Sequence, residues 1–268
     1  VSASAISLSS SINRTRIARP RLAGALSSVR ITAALRTTAV RQMAACVHFH
    51  GMGNFMSGPG QIIILNGAPR SGKSSIVQAV QESFEGPWMN LGVDTYEQVT
   101  PLRCRPGIGL RPGGERPDIE GLVPRFYAAL YESIAAHSRV GLNVVADLGH
   151  HDSYSRPLDC LVDCARRLAG LPVLFVGVRC PIEIIMQRRA DSPAGRGYVT
   201  GSPDDPMPLA VRLWQEEVHR PGVYDLEVDT SLLTPAQCAD AIRGRLRQNV
   251  EPPTAFERLS AFSRDKLS

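Results

Sequence analysis

The segment Gly67-Ala-Pro-Arg-Ser-Gly-Lys-Ser74 constrains this chain more than any other feature of its 268 residues. It has the form G-x-x-x-x-G-K-[ST]. A short run rich in β-branched residues, Gln61 to Leu65, precedes it, and a helical segment, Ser74 to Phe84, follows. Glycines at both ends let successive backbone N–H groups curl around an anion. The positive end of the following helix adds to that field. Lys73 supplies a point charge for the β- and γ-phosphates of a nucleotide, and Ser74 a hard oxygen for Mg²⁺. The expected nucleotide-binding set is Gly67, Ala68, Pro69, Arg70, Ser71, Gly72, Lys73, Ser74 and Ser75. An ordinary glycine-rich turn is the alternative, and Lys73 and Ser74 in this context argue against it. Guanine-specific proteins of this kind carry Asn-Lys-x-Asp after a later strand. The chain has two Lys, Lys73 and Lys266, and no such motif, so ATP is expected rather than GTP.

Beyond this loop, strand-like and helix-like segments alternate. Strands are expected at Trp88 to Val93, Leu142 to Ala146, Pro172 to Val178 and Tyr224 to Val228. Helices are expected at Ile119 to His137, Tyr154 to Leu168, Ile182 to Arg189, Pro208 to His219 and Pro235 to Arg247. Such alternation implies an α/β fold, a parallel sheet of about five strands with helices on both faces. Two Pro/Gly-rich stretches, 101–117 and 190–208, read as loops, and a small lid is expected beside the sheet.

Charge is unevenly placed. Residues 1–60 hold seven Arg (Arg14, Arg16, Arg19, Arg21, Arg30, Arg36 and Arg41), no Lys and no acid. The first acidic residue is Glu82. The net charge of +5 is therefore a +7 leader joined to a body of −2, which argues against nucleic acid as a partner of the body. The Ser/Ala/Arg-rich leader reads as a disordered or upstream extension, or as a transit peptide. A kinase domain is expected at 61–250 and a C-terminal tail at 251–268. No run approaches the ~18–20 apolar residues of a membrane helix. The six Cys are scattered without Cys-x-x-Cys, which suits reduced thiols in the cytoplasm, or in a mitochondrion if the leader is a transit peptide. Oligomeric state is not legible.

Two acids stand at the expected carboxyl ends of strands, where open parallel sheets bind ligands. Asp94 ends Leu91-Gly-Val-Asp94 and could accept a proton from a substrate hydroxyl, cap the next segment, or hold Mg²⁺ through water. Asp147 follows Leu142 to Ala146 and could support Mg²⁺ or act as a turn residue. His150 and His151 have no third ligand at metal spacing.

Several blocks in order, Gly67–Ser74, Leu91-Gly-Val-Asp94 with Pro101-Leu102, Phe175-Val-Gly-Val-Arg-Cys180, Val218-His219 and Tyr224-Asp-Leu-Glu-Val-Asp-Thr230, make residues 61–248 resemble the chloramphenicol phosphotransferase family. The resemblance implies an ATP- and Mg²⁺-dependent kinase of a primary hydroxyl. It gives Asp94 the role of catalytic base. It makes Arg188, eight residues after Cys180, a neutraliser of charge on the moving phosphoryl group, with Arg196 an approximate counterpart of a second arginine. An ordinary surface arginine is the alternative for Arg196. The 189–207 segment is longer than in the family, and 104–117 is rich in Arg and Pro where acceptor contacts would lie. The acceptor is thus a chloramphenicol-like alcohol or another small hydroxyl compound such as a nucleoside. A nucleotide-gated binding protein is the non-enzymatic alternative.

Overall fold

The computed structural model describes residues 58–105, 116–192, 198–248 and 252–262. Most of the Arg-rich leader, Cys46, the centre of the 101–117 loop, Arg196 and the last six residues lie outside the described residues.

The chain runs β1 (Ile62–Asn66), α1 (Lys73–Ser83), β2 (Trp88–Asn90), α2 (Val93–Gln98), α3 (Pro117–Glu120), α4 (Val123–Arg139), β3 (Asn143–Leu148), α5 (Cys160–Arg167), β4 (Val173–Arg179), α6 (Ile182–Ala190), α7 (Leu209–Glu217), β5 (Leu226–Asp229), α8 (Pro235–Arg247) and α9 (Ala255–Ser260). Among the described residues the strands form one sheet in the order β2-β3-β1-β4-β5, with every pairing parallel. The α/β architecture expected from the alternation is the one observed.

The sheet is covered on both faces because its central strand is apolar from Ile62 to Leu65. All five residues of β1 are buried. Ile62 and Ile64 pack with α4, α5 and α9 through Leu130, Tyr131, Ile134, Cys164, Leu168, Phe256 and Leu259. Ile63 and Leu65 turn to the other face, against Ile76, Val77 and Val80 of α1 and Cys238 and Ile242 of α8. Period-two alternation within a continuous apolar run gives two cores separated by one sheet. Of the described helices, none is long and apolar enough to cross a membrane. The five described cysteines are free thiols.

Several boundaries differ from the sequence expectation, each for a local reason. β2 stops at Asn90, because Asn90 Oδ1 accepts the Gly92 N–H at 3.1 Å and the chain turns into α2 at Val93. Asp94 therefore lies in the first turn of a helix, not at a strand end. β3 continues to Leu148, held by the parallel register Leu65↔Asp147 and Asn66↔Leu148, so Asp147 lies within the strand. The expected helix from Ile119 to His137 is two helices. Pro124 stands in the first turn of α4, where its missing N–H is harmless, and it could not sit inside a longer helix. The expected helix from Tyr154 starts only at Cys160, after Pro157 and a turn in which Asp152 accepts the N–H groups of Leu158 and Asp159. Within the stretch read as a tail, α9 has a capping box at Thr254 and Glu257, and it buries Ala255, Phe256 and Leu259 in the core.

Candidate active site

β1 is the central strand, with β3 on one side and β4 on the other, so the chain diverges at its carboxyl end. Crevices of this kind bind ligands in open parallel sheets. The phosphate loop leaves β1 there and leads into α1, as its sequence context requires. Gly72 takes the left-handed conformation at φ 98°, and so does Arg70 at φ 72°. At Gly67 a Cβ would press on the Val178 carbonyl and the Ser71 hydroxyl. The loop's compactness thus rests on glycine at both ends.

Lys73 opens α1 and folds back over the loop, its Nζ donating to the carbonyls of Gly67 at 2.8 Å and Ala68 at 3.0 Å. Burial lowers its pKa, while the nearby charges of Asp147 and Asp94 oppose that shift. Lys73 Nζ is thus within electrostatic reach of both acids that the sequence singled out. Ser74 Oγ donates to Asp147 Oδ2 at 2.7 Å. That contact joins two hard oxygens from adjacent elements, the donor type Mg²⁺ prefers. Among the described residues no group of three or more His, Cys, Asp or Glu could hold a metal ion. Two protein oxygens fit Mg²⁺, which completes its shell with waters and phosphate oxygens.

Gly92 has a steric role that the sequence reading did not identify. A Cβ there would overlap Asp147 Oδ1 and press on the Asp147 carbonyl. The invasive neighbour is the carboxylate itself, so glycine at this position lets α2 approach β3 and brings Asp94 to the loop.

Arg188 holds a different position from the one its assigned role suggests. Its Nη2 donates to the Thr230 carbonyl at 2.8 Å, and its Nη1 to Thr230 Oγ1 at 3.0 Å and the Arg70 carbonyl at 3.3 Å. In return Arg70 donates to the Arg188 carbonyl through Nε at 3.0 Å and Nη2 at 2.7 Å. Thr230 Oγ1 in turn donates to the Ser71 carbonyl at 2.7 Å. Arg188 here braces the loop against the end of β5. Thr230 closes a block quoted from the sequence, but only the fold puts it beside the loop. Ser75 is exposed on α1.

Behind the loop, Asn66 at the end of β1 ties three segments together. Its Nδ2 donates to the Val218 carbonyl at 2.6 Å and to the Tyr224 hydroxyl at 3.0 Å, and its Oδ1 accepts the His150 N–H at 2.8 Å. His150 also pairs with the Tyr131 hydroxyl at 2.7 Å, and His219 with that of Tyr224 at 2.8 Å. Burial pushes the pKa of His150 down to about 3 and that of His219 to about 4. Both are neutral structural groups at physiological pH.

The loop opens into a cavity of about 210 Å³. Its walls include Gly67, Arg70, Lys73 and Ser74 from the loop and α1, Asp94 and Glu97 from α2, and Asp147 from β3. Aromatic side chains supply much of the rest: Tyr96, Phe126, Tyr127, Tyr154, Tyr198 and Trp214. His151 stacks on Tyr154 at 4.4 Å and meets Trp214 edge-on at 5.3 Å. Tyr198, on the 190–208 segment read as a loop, lies 5.5 Å from both the Arg70 and the Arg189 guanidinium. The fold thus brings together Gly67, Lys73, Ser74, Asp94 and Asp147 and places Arg188 behind the loop. None of the aromatic wall was foreseen, because its members come from five separate segments.

The sequence model for chloramphenicol phosphotransferase-like proteins matches residues 60–247. The chain belongs to this family. Two proteins of Mycobacterium tuberculosis, from strains H37Rv and CDC 1551, are each 28% identical over 214 residues, covering 75% of this chain and 88% of their own. Both are named as O-phosphotransferases. A sugar kinase from Janibacter sp. HTCC2649 superposes over 76% of this chain and 100% of its own, at 16% identity and a TM-score of 0.49.

Proposed function

We propose that this protein is an ATP-dependent O-phosphotransferase that transfers the γ-phosphoryl group to the hydroxyl of a small organic molecule. The observation that carries this reading is one shared cavity. The phosphate loop, the Ser74–Asp147 pair and the Asp94 carboxylate all line it, so donor and acceptor groups can meet in one place. Family membership and the names of the mycobacterial relatives support the same class of reaction. Chloramphenicol is the narrower reading, and with it antibiotic inactivation. The relatives' names specify only O-phosphotransfer, so the wider acceptor class is preferred here.

Mg–ATP, when bound, supplies the transferable phosphoryl group and the cation that offsets its charge. The loop N–H groups and Lys73 would hold the phosphates, and Ser74 and Asp147 would hold Mg²⁺. Asp94 accepts the proton of the acceptor hydroxyl as its oxygen attacks phosphorus. Arg188 keeps the loop in shape for this alignment.

General-base help is worth ~10²–10⁴-fold in rate. Asp94→Asn should therefore retain ATP affinity by calorimetry and lose turnover by that order in an ADP-release assay with an active acceptor. An Asn variant with near-normal turnover removes Asp94 from the mechanism.

A further inference from the structure

A phosphoryl group in transfer spreads its charge over three equatorial oxygens, and cations placed to meet it speed the reaction. Arg188, to which the resemblance gave this task, is turned to Thr230 and the Arg70 carbonyl. Arg70 stands at the cavity instead, in one wall with Lys73 and Ser74. The phosphate-loop pattern leaves this position open to any residue, and the chain places an arginine there.

Three observations aim that side chain at a ligand. The backbone of Arg70 is left-handed at φ 72°, a conformation that costs a residue with a Cβ and that clusters at functional sites. The guanidinium is held in place, because Nε and Nη2 donate to the Arg188 carbonyl and the Tyr198 ring lies 5.5 Å away. Its charge is nevertheless unanswered. Among the described residues the half-buried Arg70 forms no ion pair, and its Nη1 makes no hydrogen bond. A fixed planar fork with donors to spare suits two oxygens of one phosphoryl group.

We propose that Arg70 is a catalytic residue, donating through Nη1 and the remaining N–H of Nη2 to the γ-phosphoryl group and offsetting its charge during transfer. The bond between phosphorus and the β–γ bridging oxygen breaks as the bond to the acceptor oxygen forms. ADP leaves with the electron pair, the hydroxyl proton goes to Asp94, and Arg70 keeps its protons. The transfer rests on the kinase reading above, whereas the contact itself requires only a bound nucleoside triphosphate.

The test compares ADP with a non-hydrolysable ATP analogue, each with Mg²⁺, by calorimetry on the full chain. Wild type should bind the analogue more tightly than ADP. Arg70→Gln should lower that preference about tenfold and leave ADP affinity within about twofold. Arg70→Gly should do the same, and it removes the side chain without keeping a Cβ at positive φ, so folding does not confound it. A residue that only shapes the loop would weaken both ligands alike. A wild type without the preference, a preference that survives both variants, or equal loss of the two ligands overturns the inference. Turnover, measured separately with labelled ATP and a panel of small alcohols, should fall by ~10³–10⁵-fold in both variants, and near-normal turnover also overturns it. If the binding contrast behaves as expected and no alcohol is ever phosphorylated, the contact stands and the kinase reading falls.

Discussion

Replacing Gly92 by alanine tests whether the approach of α2 to β3 sets the Ser74–Asp147 pair proposed to hold Mg²⁺. The backbone of Gly92, at φ −70° and ψ 172°, is open to any residue, so conformational strain plays no part. The added Cβ would overlap Asp147 Oδ1 and lie 2.9 Å from Asp147 Cγ and 3.0 Å from its carbonyl oxygen. A backbone carbonyl inside a paired strand cannot give way, so either the carboxylate rotates away or α2 lifts. Overpacking of this kind costs about 1–3 kcal/mol. For a domain of this size each 1 kcal/mol lowers Tm by about 2–4 °C, so a fall of about 2–12 °C is expected by scanning fluorimetry. Rotation of the carboxylate also breaks the 2.7 Å bond from Ser74, and a hydrogen bond to a charged acceptor is worth about 1.5–3 kcal/mol. The Mg²⁺ concentration giving half-maximal ADP release should accordingly rise about tenfold or more. Wild-type Tm together with a wild-type Mg²⁺ dependence in Gly92→Ala would refute the argument.

Two further outcomes follow from the site. Arg188→Ala should lower both Tm and ATP affinity, since it removes the bridge between the Arg70 carbonyl and Thr230; an unchanged melting curve with a loss confined to turnover would return Arg188 to direct charge neutralisation. Acidification should destabilise the protein through His150 and His219, whose folded pKa values of about 3 and about 4 lie below their ordinary 6.5. Below pH 6.5 the unfolded chain takes up protons that the folded one refuses, so stability declines as pH falls through 6.5 toward 4. Melting temperatures measured from pH 7 to pH 5 check this, and a flat profile contradicts it.

The fold was readable in the sequence where one residue type has one physical use. The loop from Gly67 to Ser74 is such a place, as is the apolar run Ile62 to Leu65 within β1, which requires cover on both faces. Boundaries were less legible. Asn90 ends β2 with its own side chain, and Pro124 divides a pattern whose apolar periodicity continues across the break. The helix at Ala255–Ser260 escaped notice because it is a single short amphipathic turn-and-a-half. Its place is decided by the pocket that Phe256 fills, with its ring 5.1 Å from Phe175.

By itself the sequence determined the phosphate loop, whose glycines, Lys73 and Ser74 have a fixed local relation to one another. It also singled out Asp94 and Asp147, although Asp94 stands in the first turn of α2 and Asp147 within β3. Local spacing carries that information, because a strand, a turn and a helix position their own residues. Only the tertiary structure decided how these parts combine: that Asp147 meets Ser74 beside Gly92, that Arg188 turns to Thr230 and the loop, and that aromatic side chains from five segments line the same cavity. Those relations join residues up to about 160 positions apart, as between Ser71 and Thr230, and parallel strand order rather than sequence spacing sets them.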